Sequence, residues 1–470
     1  MSRARPLLVL NVAALTPRLL RHMPRLRSLA DGGRPASLTP VFPAVTCTVQ
    51  SSLLTGLYPR DHGIVGNGWY FRELGEVLLW RQHNRLVRGE KVWETARRRF
   101  PGHRTANICW WYAMGAGTDI TVTPRPVYHA DGRKSPDCYT VPAGLRDELT
   151  RRLGPFPLFH YWGPAASLAS TRWIVRATRH VLRTAAPDLT LAYLPHLDYD
   201  LQRHGPHGDE ARAAAAELDA AVTPLLDFAQ ERGITVVALS EYGITAVDRP
   251  VHLNRALREA GLLSVHTQAG MEYLDPVTSR AFAVADHQVA HLHVRDPADV
   301  PHVRNLVAAL PGVARVLDEA GKAELAVDHA RSGELVAVAD SRSWFTYYYW
   351  LDDARAPDFA RCVDIHRKPG YDPAELFMDP ADPLIRLKAA GALLRTRLGL
   401  RATLAVVPLD ATCVRGSHGR LPDDPEDGPV LLCSDATAVD ARAGHLAVDL
   451  PRLLLRLAGP PGDVPPAASV

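Results

Sequence analysis

The chain has 470 residues, of which 22% are charged and 47% hydrophobic, a composition typical of globular proteins that excludes disordered and fibrous chains. Lys and Arg number 54 against 51 Asp and Glu, a formal net charge of +3, so we expect neither a nucleic acid polymer nor a membrane as partner. No apolar run approaches the roughly 18 residues that a bilayer-spanning helix needs. The six cysteines are scattered without a closely spaced pair, which favours a reducing compartment and a cytoplasmic location.

Short apolar runs alternate with helical patterns along the chain. The runs that predict buried strands are Leu7–Leu10, Leu189–Leu194, Ile234–Leu239 and Val430–Cys433. The patterns that predict helices begin at Ser51 and stop at Gly56, cover Glu210–Glu231, and cover Leu446–Leu457 before Gly459. This alternation predicts an α/β fold with a mostly parallel central sheet covered by helices on both faces.

Two regions, 70–170 and 266–409, fit the alternation poorly. We interpret residues 266–409 as a smaller inserted cap that carries substrate contacts. The catalytic core is then expected in two parts, residues 1–265 and 410–459. A frayed tail rich in Pro and Ala is expected over 460–470.

Polar residues follow the predicted strands, at the edge where parallel α/β sheets carry their sites. They are Asn11 after the first strand, Asp198, Asp200 and His204 after the second, Glu241 and Tyr242 after the third, and His418 shortly before the fourth. Thr46 precedes an apolar helical segment, where free backbone N–H groups and the positive end of the helix dipole favour an anion. An oxygen nucleophile at a helix start, with carboxylates and histidines at strand ends, is typical of metal-assisted phosphoryl transfer.

The segment between Thr46 and Asn67 resembles the nucleophile region of type I phosphodiesterases/nucleotide pyrophosphatases, in the alkaline phosphatase superfamily. The matching elements, in the family's order, are Thr46, Thr55-Gly-Leu-Tyr-Pro59, His62-Gly-Ile64 and Asn67. The resemblance implies an alkaline-phosphatase-like three-layer sandwich, with Thr46 as nucleophile and Asn67 as a donor to a phosphate oxygen. Taken alone, Thr46 could instead be an ordinary helix N-cap.

The resemblance also implies a first metal, held by an Asp-x-x-x-His element and by the His of a later Gly-x-His-Gly. Asp200-Leu-Gln-Arg-His204 and Gly416-Ser-His-Gly419 fit these patterns. Asp200, His204 and His418 would then bind Zn²⁺ with open positions for substrate, and Asp198 would orient a ligand. The alternative is a solvated loop carboxylate with two histidines that bind nothing.

A second metal site departs from the family pattern. The resemblance implies an Asp after the first strand and an Asp-His pair after a later one, but this chain has Asn11 and Glu241-Tyr242 there. An all-oxygen ligand set of lower charge suits Mg²⁺, Mn²⁺ or Ca²⁺ better than Zn²⁺. The site could also be empty, with one metal and a protein base in its place.

A segment of the inserted region could instead fill this gap. Asp286, His287 and His291 lie close together in the sequence, and in a strand His287 and His291 share one face because their spacing is even. The alternative is that they are ordinary polar positions on a half-exposed strand.

Substrate contacts could come from aromatic runs and nearby basic residues. Trp110-Trp-Tyr112 and Trp344–Trp350 could clamp a base or ring, although aromatic residues are more often core. Arg367, Lys368 and Arg415 could bind a second phosphate, or they could be solvated surface charges.

The leading hypothesis is a metal-dependent phosphoester hydrolase, similar to a phosphodiesterase or nucleotide pyrophosphatase, that forms a phospho-threonine at Thr46. Its substrate is expected to be a small phosphorylated molecule, such as a nucleotide. The alternative is a homologue with one metal, or without hydrolysis, that binds a phosphorylated ligand. A phosphatase, a phosphonate hydrolase or a phosphoryl transferase would use the same residues.

Overall fold

The computed structural model describes residues 6–30, 34–130, 133–398, 400 and 402–459. Two sheets among these residues organise the chain. Their strands, in chain order, are β1 Leu7–Val12, β2 Ala36–Thr39, β3 Thr105–Ile108, β4 Ile120–Pro124, β5 Cys138–Val141, β6 Leu189–Leu194, β7 Thr235–Leu239, β8 Ala281–Asp286, β9 Val289–Val294, β10 Val313–Leu317, β11 Leu335–Ala339, β12 Val430–Cys433 and β13 Gly444–Leu446. Two-stranded ladders pair Gly68–Phe71 with Glu76–Leu79, Val127–Tyr128 with Lys134–Ser135, Thr245–Ala246 with Gly416–Ser417, Arg249–Val251 with Ser343–Phe345, and Val265–Gln268 with Met271–Leu274.

The longer helices surround these sheets. They are α1 Thr46–Thr55, α2 Val92–Arg99, α3 Gly144–Leu153, α4 Leu168–Ala185, α5 His196–His204, α6 Asp209–Glu231, α7 Leu253–Glu259, α8 Val300–Ala308, α9 Ile385–Arg397 and α10 Leu450–Ala458. Shorter helices cover Pro17–Leu20, Pro24–Arg27, Pro59–His62 and Glu319–Glu324, and 3₁₀ turns cover Asn84–Leu86, Leu158–His160, Pro297–Asp299, Asp353–Arg355, Asp358–Arg361, Pro373–Leu376, Ala411–Cys413, Pro425–Asp427 and Ala447–Asp449. None of the described helices combines the length and apolar character that crossing a bilayer would require.

The larger sheet has the strand order β13-β2-β12-β7-β1-β6-β3-β4-β5 among the described residues. Its central strands, β7-β1-β6-β3-β4, run parallel, whereas β12 and β5 pair antiparallel on either side. Every residue of β1, β6 and β7 is buried, as expected for parallel strands covered on both faces. The predicted α/β class with a mostly parallel sheet is confirmed, and the carboxyl ends of β1, β6 and β7 lie side by side.

The smaller sheet, β8-β9-β11-β10, is antiparallel and lies between β7 and β12 in the chain. Its hydrophobic core is a separate cluster whose residues run from Val247 to Val414. The predicted insertion, 266–409, therefore covers all four strands, although residues before and after it join the same core. The predicted tail, 460–470, lies outside the described residues.

The predicted strands all occur, with small differences at their ends. Asn11 lies inside β1 rather than after it. The helix predicted from Leu446 begins at Leu450, where Pro451 sits in the first turn, a position proline favours. The helix predicted from Ser51 begins at Thr46, because the chain turns from the extended Val45 directly into helix.

Candidate active site

Thr46 is the first residue of α1, and the cap position before it is occupied by Val45, whose side chain cannot accept a hydrogen bond. The helix is buried over nearly its whole length and ends at Gly56, whose φ of 73° is one that glycine adopts freely. The backbone N–H of Cys47 donates to Asn67 Oδ1 at 2.9 Å. Thr46 is therefore not the N-cap of α1, and its hydroxyl can contact the neighbouring strand ends.

A buried carboxyl group lies beside this hydroxyl. Glu241 follows the end of β7, and its Oε2 accepts hydrogen bonds from Asn11 Nδ2 at 2.7 Å and from Gln50 Nε2 at 2.9 Å. Burial raises the pKa of Glu241 to about 7, and hydrogen bonds from Asn11, Gln50 and Thr46 oppose that shift. Glu241 can therefore exchange a proton near neutral pH.

The Thr46 hydroxyl also begins a line of hydrogen bonds through the site. Its Oγ1 lies 3.2 Å from Tyr242 Oη, which donates to Asp198 Oδ1 at 3.1 Å. Gln202 Nε2 donates to Asp198 Oδ2 at 2.7 Å, and Gln202 Oε1 accepts from the Tyr371 hydroxyl at 2.9 Å. Burial raises the pKa of Asp198 to about 6. These bonds connect α1, the end of β7 and α5 into one buried network.

Four rings stack along the same network. The Tyr242 ring lies parallel to that of His418, with 3.6 Å between centroids and 5° between planes. The His418 ring is 3.8 Å from that of His287, which is 3.7 Å from the Tyr371 ring. His418 Nδ1 donates to Ala44 O at 2.9 Å, which leaves Nε2 as the acceptor of the neutral ring. Burial holds the pKa of His418 well below its ordinary value, so this ring stays neutral.

The β8–β9 hairpin inserts its tip into the site. His287, in the turn, has a φ of 60°, a strained conformation for a residue other than glycine that often marks functional positions. Its Nδ1 donates to Asp286 Oδ1 at 2.7 Å. The backbone N–H and the side-chain amide of Asn67 also donate to Asp286, at 2.7 and 3.0 Å. Asp286 therefore orients the imidazole of His287 and at the same time occupies the Asn67 donors.

Two predicted metal ligands, Asp200 and His204, point away from this network. Asp200 is half-buried and pairs with Arg203 on the same helix at 3.0 Å, and His204 is exposed. The pairs Asp198–Gln202 and Asp200–His204 both have the spacing of one helix face, but a shift of two residues turns the side chains by about 200°. The structure therefore brings Asp198 and Gln202 to the site in place of Asp200 and His204.

His291 also lies outside the network. It is part of β9, where its Nε2 donates to Val65 O at 2.9 Å and its Nδ1 accepts from the backbone N–H of Gly333 at 3.2 Å. Because His287 lies in the turn rather than in a strand, the even spacing does not put the two histidines on one face. Of the residues predicted from the insertion, Asp286 and His287 reach the site and His291 does not.

Most of the predicted substrate contacts have other roles. Trp110 and Trp344–Trp350 are buried in the hydrophobic cores of the two sheets. Lys368 is fully buried, with its Nζ 2.7 Å from Asp372 and 2.8 Å from Glu375. An amine paired in this way is not available to a second phosphate.

A different set of aromatic residues borders the site. The half-buried Trp111 packs on Trp80 at 4.9 Å between ring centroids. Trp80 and Trp162 in turn contact Tyr371, at 6.0 and 5.7 Å, and Tyr371 stacks on His287. These contacts form a continuous aromatic path from the partly exposed tryptophans to the buried network around Thr46.

The sequence reasoning missed several residues of the site. Trp80 and Tyr371 are isolated aromatic residues, and Trp162 ends an aromatic-rich stretch over 156–162, so none of them has a spacing that could have singled it out. Gln50 lies between Thr46 and Asn67, but it is not one of the residues that carry the family resemblance. Gln202 carried a usable signal, because Asp198 and Gln202 have the Asp-x-x-x-His spacing with one side chain changed.

Comparison with known proteins adds the family context. The family model for type I phosphodiesterase/nucleotide pyrophosphatase matches residues 7–372. An uncharacterised pyrophosphatase/phosphodiesterase of Schizosaccharomyces pombe is 25% identical over 233 residues, which cover 47% of this chain and 40% of that protein. Ectonucleotide pyrophosphatase/phosphodiesterase 1 of Saccharomyces cerevisiae is 23% identical over 274 residues, which cover 52% of this chain and 34% of that protein. The matched regions thus span less than half the length of these relatives.

Solved structures share the fold. Phosphonoacetate hydrolase from Sinorhizobium meliloti 1021, in complex with phosphonoformate, has a TM-score of 0.62 at 16% identity and covers 97% of this chain and 96% of its own. An inactive variant of murine ectonucleotide pyrophosphatase/phosphodiesterase 5, in complex with AMP, has a TM-score of 0.57 at 14% identity and covers 97% and 95%. The predicted alkaline-phosphatase-like fold is confirmed. The family and these relatives are hydrolases of phosphoester or phosphonate bonds.

The matched family is generally dependent on two metal ions, and the donor set of this site does not fit such a pair. At the expected first position, Asp198 lies 3.7 Å from His418 Nε2, and the third place is taken by Gln202, which turns its N–H toward Asp198. At the second position, Asn11 likewise turns its N–H toward Glu241. Among the described residues, no three His, Cys, Asp or Glu side chains are grouped so that they could hold a metal ion.

Proposed function

Because the chain belongs to the type I phosphodiesterase/nucleotide pyrophosphatase family, we propose that it hydrolyses small phosphoesters through the Thr46 hydroxyl. One observation carries the proposal: this hydroxyl lies at the buried start of α1, 3.2 Å from Tyr242 Oη and in contact with the Glu241 carboxyl group. A nucleophile with an adjacent base is the arrangement that covalent catalysis requires.

In the first step, Thr46 Oγ1 attacks phosphorus and transfers its proton to Glu241. The new Oγ1–P bond forms as the bond from phosphorus to the leaving oxygen breaks. His287, oriented by Asp286 through the 2.7 Å hydrogen bond, donates a proton to that leaving oxygen. The positive end of the α1 dipole stabilises the negative charge on the transferred phosphoryl group.

In the second step, water attacks the phospho-threonine. His287, having lost its proton, accepts one from the attacking water, and Glu241 returns its proton to Thr46 Oγ1 as the Oγ1–P bond breaks. Both groups then have the protonation with which they began. The exchange of acid and base roles between two steps is the usual consequence of a covalent intermediate.

The aromatic border supports a substrate with a planar ring. Trp80 and Trp111 are partly exposed, and Trp162 and Trp80 both contact Tyr371 next to His287. Flat, partly exposed side chains stack well on a nucleobase or a similar ring. This favours a nucleotide-like phosphodiester over a phosphate group with a small aliphatic substituent.

The test compares Thr46→Ala with Thr46→Ser in the hydrolysis of a p-nitrophenyl nucleotide diester. We expect Thr46→Ala to lose about 10³-fold or more of turnover, because it lacks the nucleophile, and Thr46→Ser to keep most of it. Mass spectrometry after acid quenching should find phosphate on residue 46 of the wild type. Unchanged turnover of Thr46→Ala would contradict the proposal.

A second candidate function is binding of a phosphorylated ligand without hydrolysis. It is favoured by the Asp286 carboxylate, which accepts the backbone and side-chain N–H groups of Asn67 that were predicted to serve a phosphate oxygen. Saturable AMP binding measured by calorimetry, together with no turnover of phosphodiesters, phosphomonoesters or phosphonates, would favour this function over hydrolysis.

A further inference from the structure

We infer that this chain does not bind the two divalent cations of its family, because hydrogen-bond donors stand where several of the cation ligands are expected. The inference concerns cation content, and it rests on the proposed function only for the location of the site. Three of the expected ligands are replaced: an aspartate by Asn11, and two histidines by Tyr242 and Gln202.

Each of the three residues that stand in their place donates a hydrogen bond to the carboxyl group of Glu241 or Asp198. Asn11 Nδ2 lies 2.7 Å from Glu241 Oε2. The Tyr242 hydroxyl and Gln202 Nε2 lie 3.1 and 2.7 Å from the two oxygens of Asp198. At Asp198, each oxygen therefore accepts an N–H or O–H group that competes with a cation for its lone pairs. At Glu241, Oε2 accepts two N–H groups, whereas Oε1 is buried and has no hydrogen-bond partner among the described residues.

The side-chain oxygens of Gln202 and Gln50 also accept hydrogen bonds. Gln202 Oε1 accepts the Tyr371 hydroxyl at 2.9 Å, and Gln50, which donates its N–H to Glu241, accepts the backbone N–H of Trp111 through its own oxygen. These contacts fix the orientation of both amides, so neither can turn its oxygen toward a cation without losing two hydrogen bonds.

Ring packing fills the space between the two positions. The Tyr242 ring lies flat on the imidazole of His418, and the other face of His418 meets His287 at 3.8 Å. An imidazole at residue 242 would leave the volume of the phenol hydroxyl free between Thr46 and Asp198. Tyr242 therefore occupies the space of the missing histidine, and its hydroxyl donates a hydrogen bond to Asp198.

Two atoms at the second position point the other way. Asn11 Oδ1 and Glu241 Oε1 are both buried and have no hydrogen-bond partner among the residues that the structure describes. A single hard cation next to them would satisfy both oxygens. The experiment therefore has to distinguish a chain without any cation from one that retains a single Mg²⁺ or Mn²⁺.

The test titrates the full-length wild-type chain with Zn²⁺, Mn²⁺ and Mg²⁺ by calorimetry, and measures bound metal by mass spectrometry after removal of excess ion. We expect no saturable binding and well below one equivalent of any of the three ions. One or more equivalents bound with micromolar or tighter affinity would overturn the inference, whichever ion it is.

The matched variant restores the family ligands with Asn11→Asp, Gln202→His and Tyr242→His. We expect it to gain at least one equivalent of Zn²⁺. A control with Asp200→Asn and His204→Gln should leave metal content unchanged. A restored variant that folds, as judged by circular dichroism, but gains no metal would contradict the role assigned to these three residues. If it does not fold, the wild-type titration still decides.

The outcome is independent of catalysis. A wild-type chain that hydrolyses no phosphoester would remove the proposed function and leave the metal titration valid. A chain that hydrolyses its substrate equally well before and after treatment with a chelator would support both.

Discussion

The two sheets contribute to the site in different ways. The larger sheet supplies Asn11 from β1 and Glu241 from the end of β7, next to Thr46 at the start of α1. The smaller sheet reaches the same place through one hairpin, whose turn carries the strained His287. The first set is positioned by the register of parallel strands, and the second by a tight turn that a separate hydrophobic core supports.

The comparison shows that the position of a site residue and the chemical type of its side chain can vary independently. A strand end fixes where a side chain lies, so Glu241 and Tyr242 follow β7 as the family resemblance implies, although their chemical types differ. Asn11 lies inside β1 rather than after it and reaches the site through its hydrogen bond to Glu241. The hairpin brings an Asp–His pair that the resemblance does not include. We interpret the site as divided, with the nucleophile and its base on the larger sheet and the acid on the smaller one.

The largest expected effect comes from the larger sheet. Glu241→Gln keeps a side chain of the same shape that can still accept the hydrogen bonds of Asn11 and Gln50, but it cannot take the proton of Thr46. We expect turnover to fall about 10³-fold. The fall should be similar for substrates with acidic and with weakly acidic leaving groups, because Glu241 does not contact the leaving oxygen.

The control for this variant is Gln50→Met, which removes the hydrogen bonds that Gln50 makes with Glu241 and with the backbone N–H of Trp111 but keeps the carboxyl group. A reduction of no more than about tenfold is expected, since only the bond to Glu241 acts on the base and a hydrogen bond contributes about 1 kcal/mol. If Glu241→Gln stayed within a few-fold of the wild type, the larger sheet would not supply the base.

The next effect comes from the smaller sheet. His287→Ala removes the proton donor, so turnover of a substrate with an alkyl leaving group should fall about 10²-fold. With p-nitrophenol as leaving group the loss should be much smaller, because this phenolate leaves without protonation. Asp286→Asn should follow the same pattern with a smaller loss. An equal loss with both substrates would assign His287 a structural role and make the division between the sheets wrong.

The fold was predictable from the sequence further than the site was. Buried strands such as Leu189–Leu194 are continuous apolar runs, and their order along the chain indicates a parallel sheet. The pair Asp198–Gln202 was not chosen because Asp200–His204 has the same spacing, and only the tertiary packing of α5 decides which face is inward. His287 could not be assigned because its position depends on a turn rather than on strand periodicity.

A smaller effect concerns stability at the larger sheet. The pKa of Glu241 is raised from 4.5 to about 7 in the folded chain, so the folded state holds its proton more tightly than the unfolded state. The contribution of Glu241 to the free energy of unfolding is therefore greatest below pH 4.5 and declines by about 3 kcal/mol as the pH rises toward 7. Glu241→Gln has no such decline. Its Tm relative to the wild type should rise by a few degrees between pH 5 and pH 8.

Thermal unfolding of both proteins at the two pH values measures this difference, and contributions from other groups cancel in the comparison. A bound cation would keep Glu241 ionised at both pH values. If the Tm values of wild type and variant changed equally with pH, the larger sheet would retain a positive charge next to Glu241. That result would contradict the inference that the chain binds no divalent cation.

The smallest expected effect lies on the outward face of α5. Asp200 is half-buried and pairs with Arg203 on the same helix, and His204 is exposed. Asp200→Asn and His204→Gln should therefore leave turnover within about twofold and lower stability by no more than about 2 kcal/mol. Asp198→Asn, two residues away on the inward face, leaves one acceptor oxygen for the two donors Tyr242 and Gln202, so one of these hydrogen bonds is lost and turnover should fall by at least tenfold. If instead the Asp200 or His204 variant lost activity, α5 would have to turn by half a revolution in the functional state, and the larger sheet would then carry the histidine–carboxylate set that its family resemblance implies.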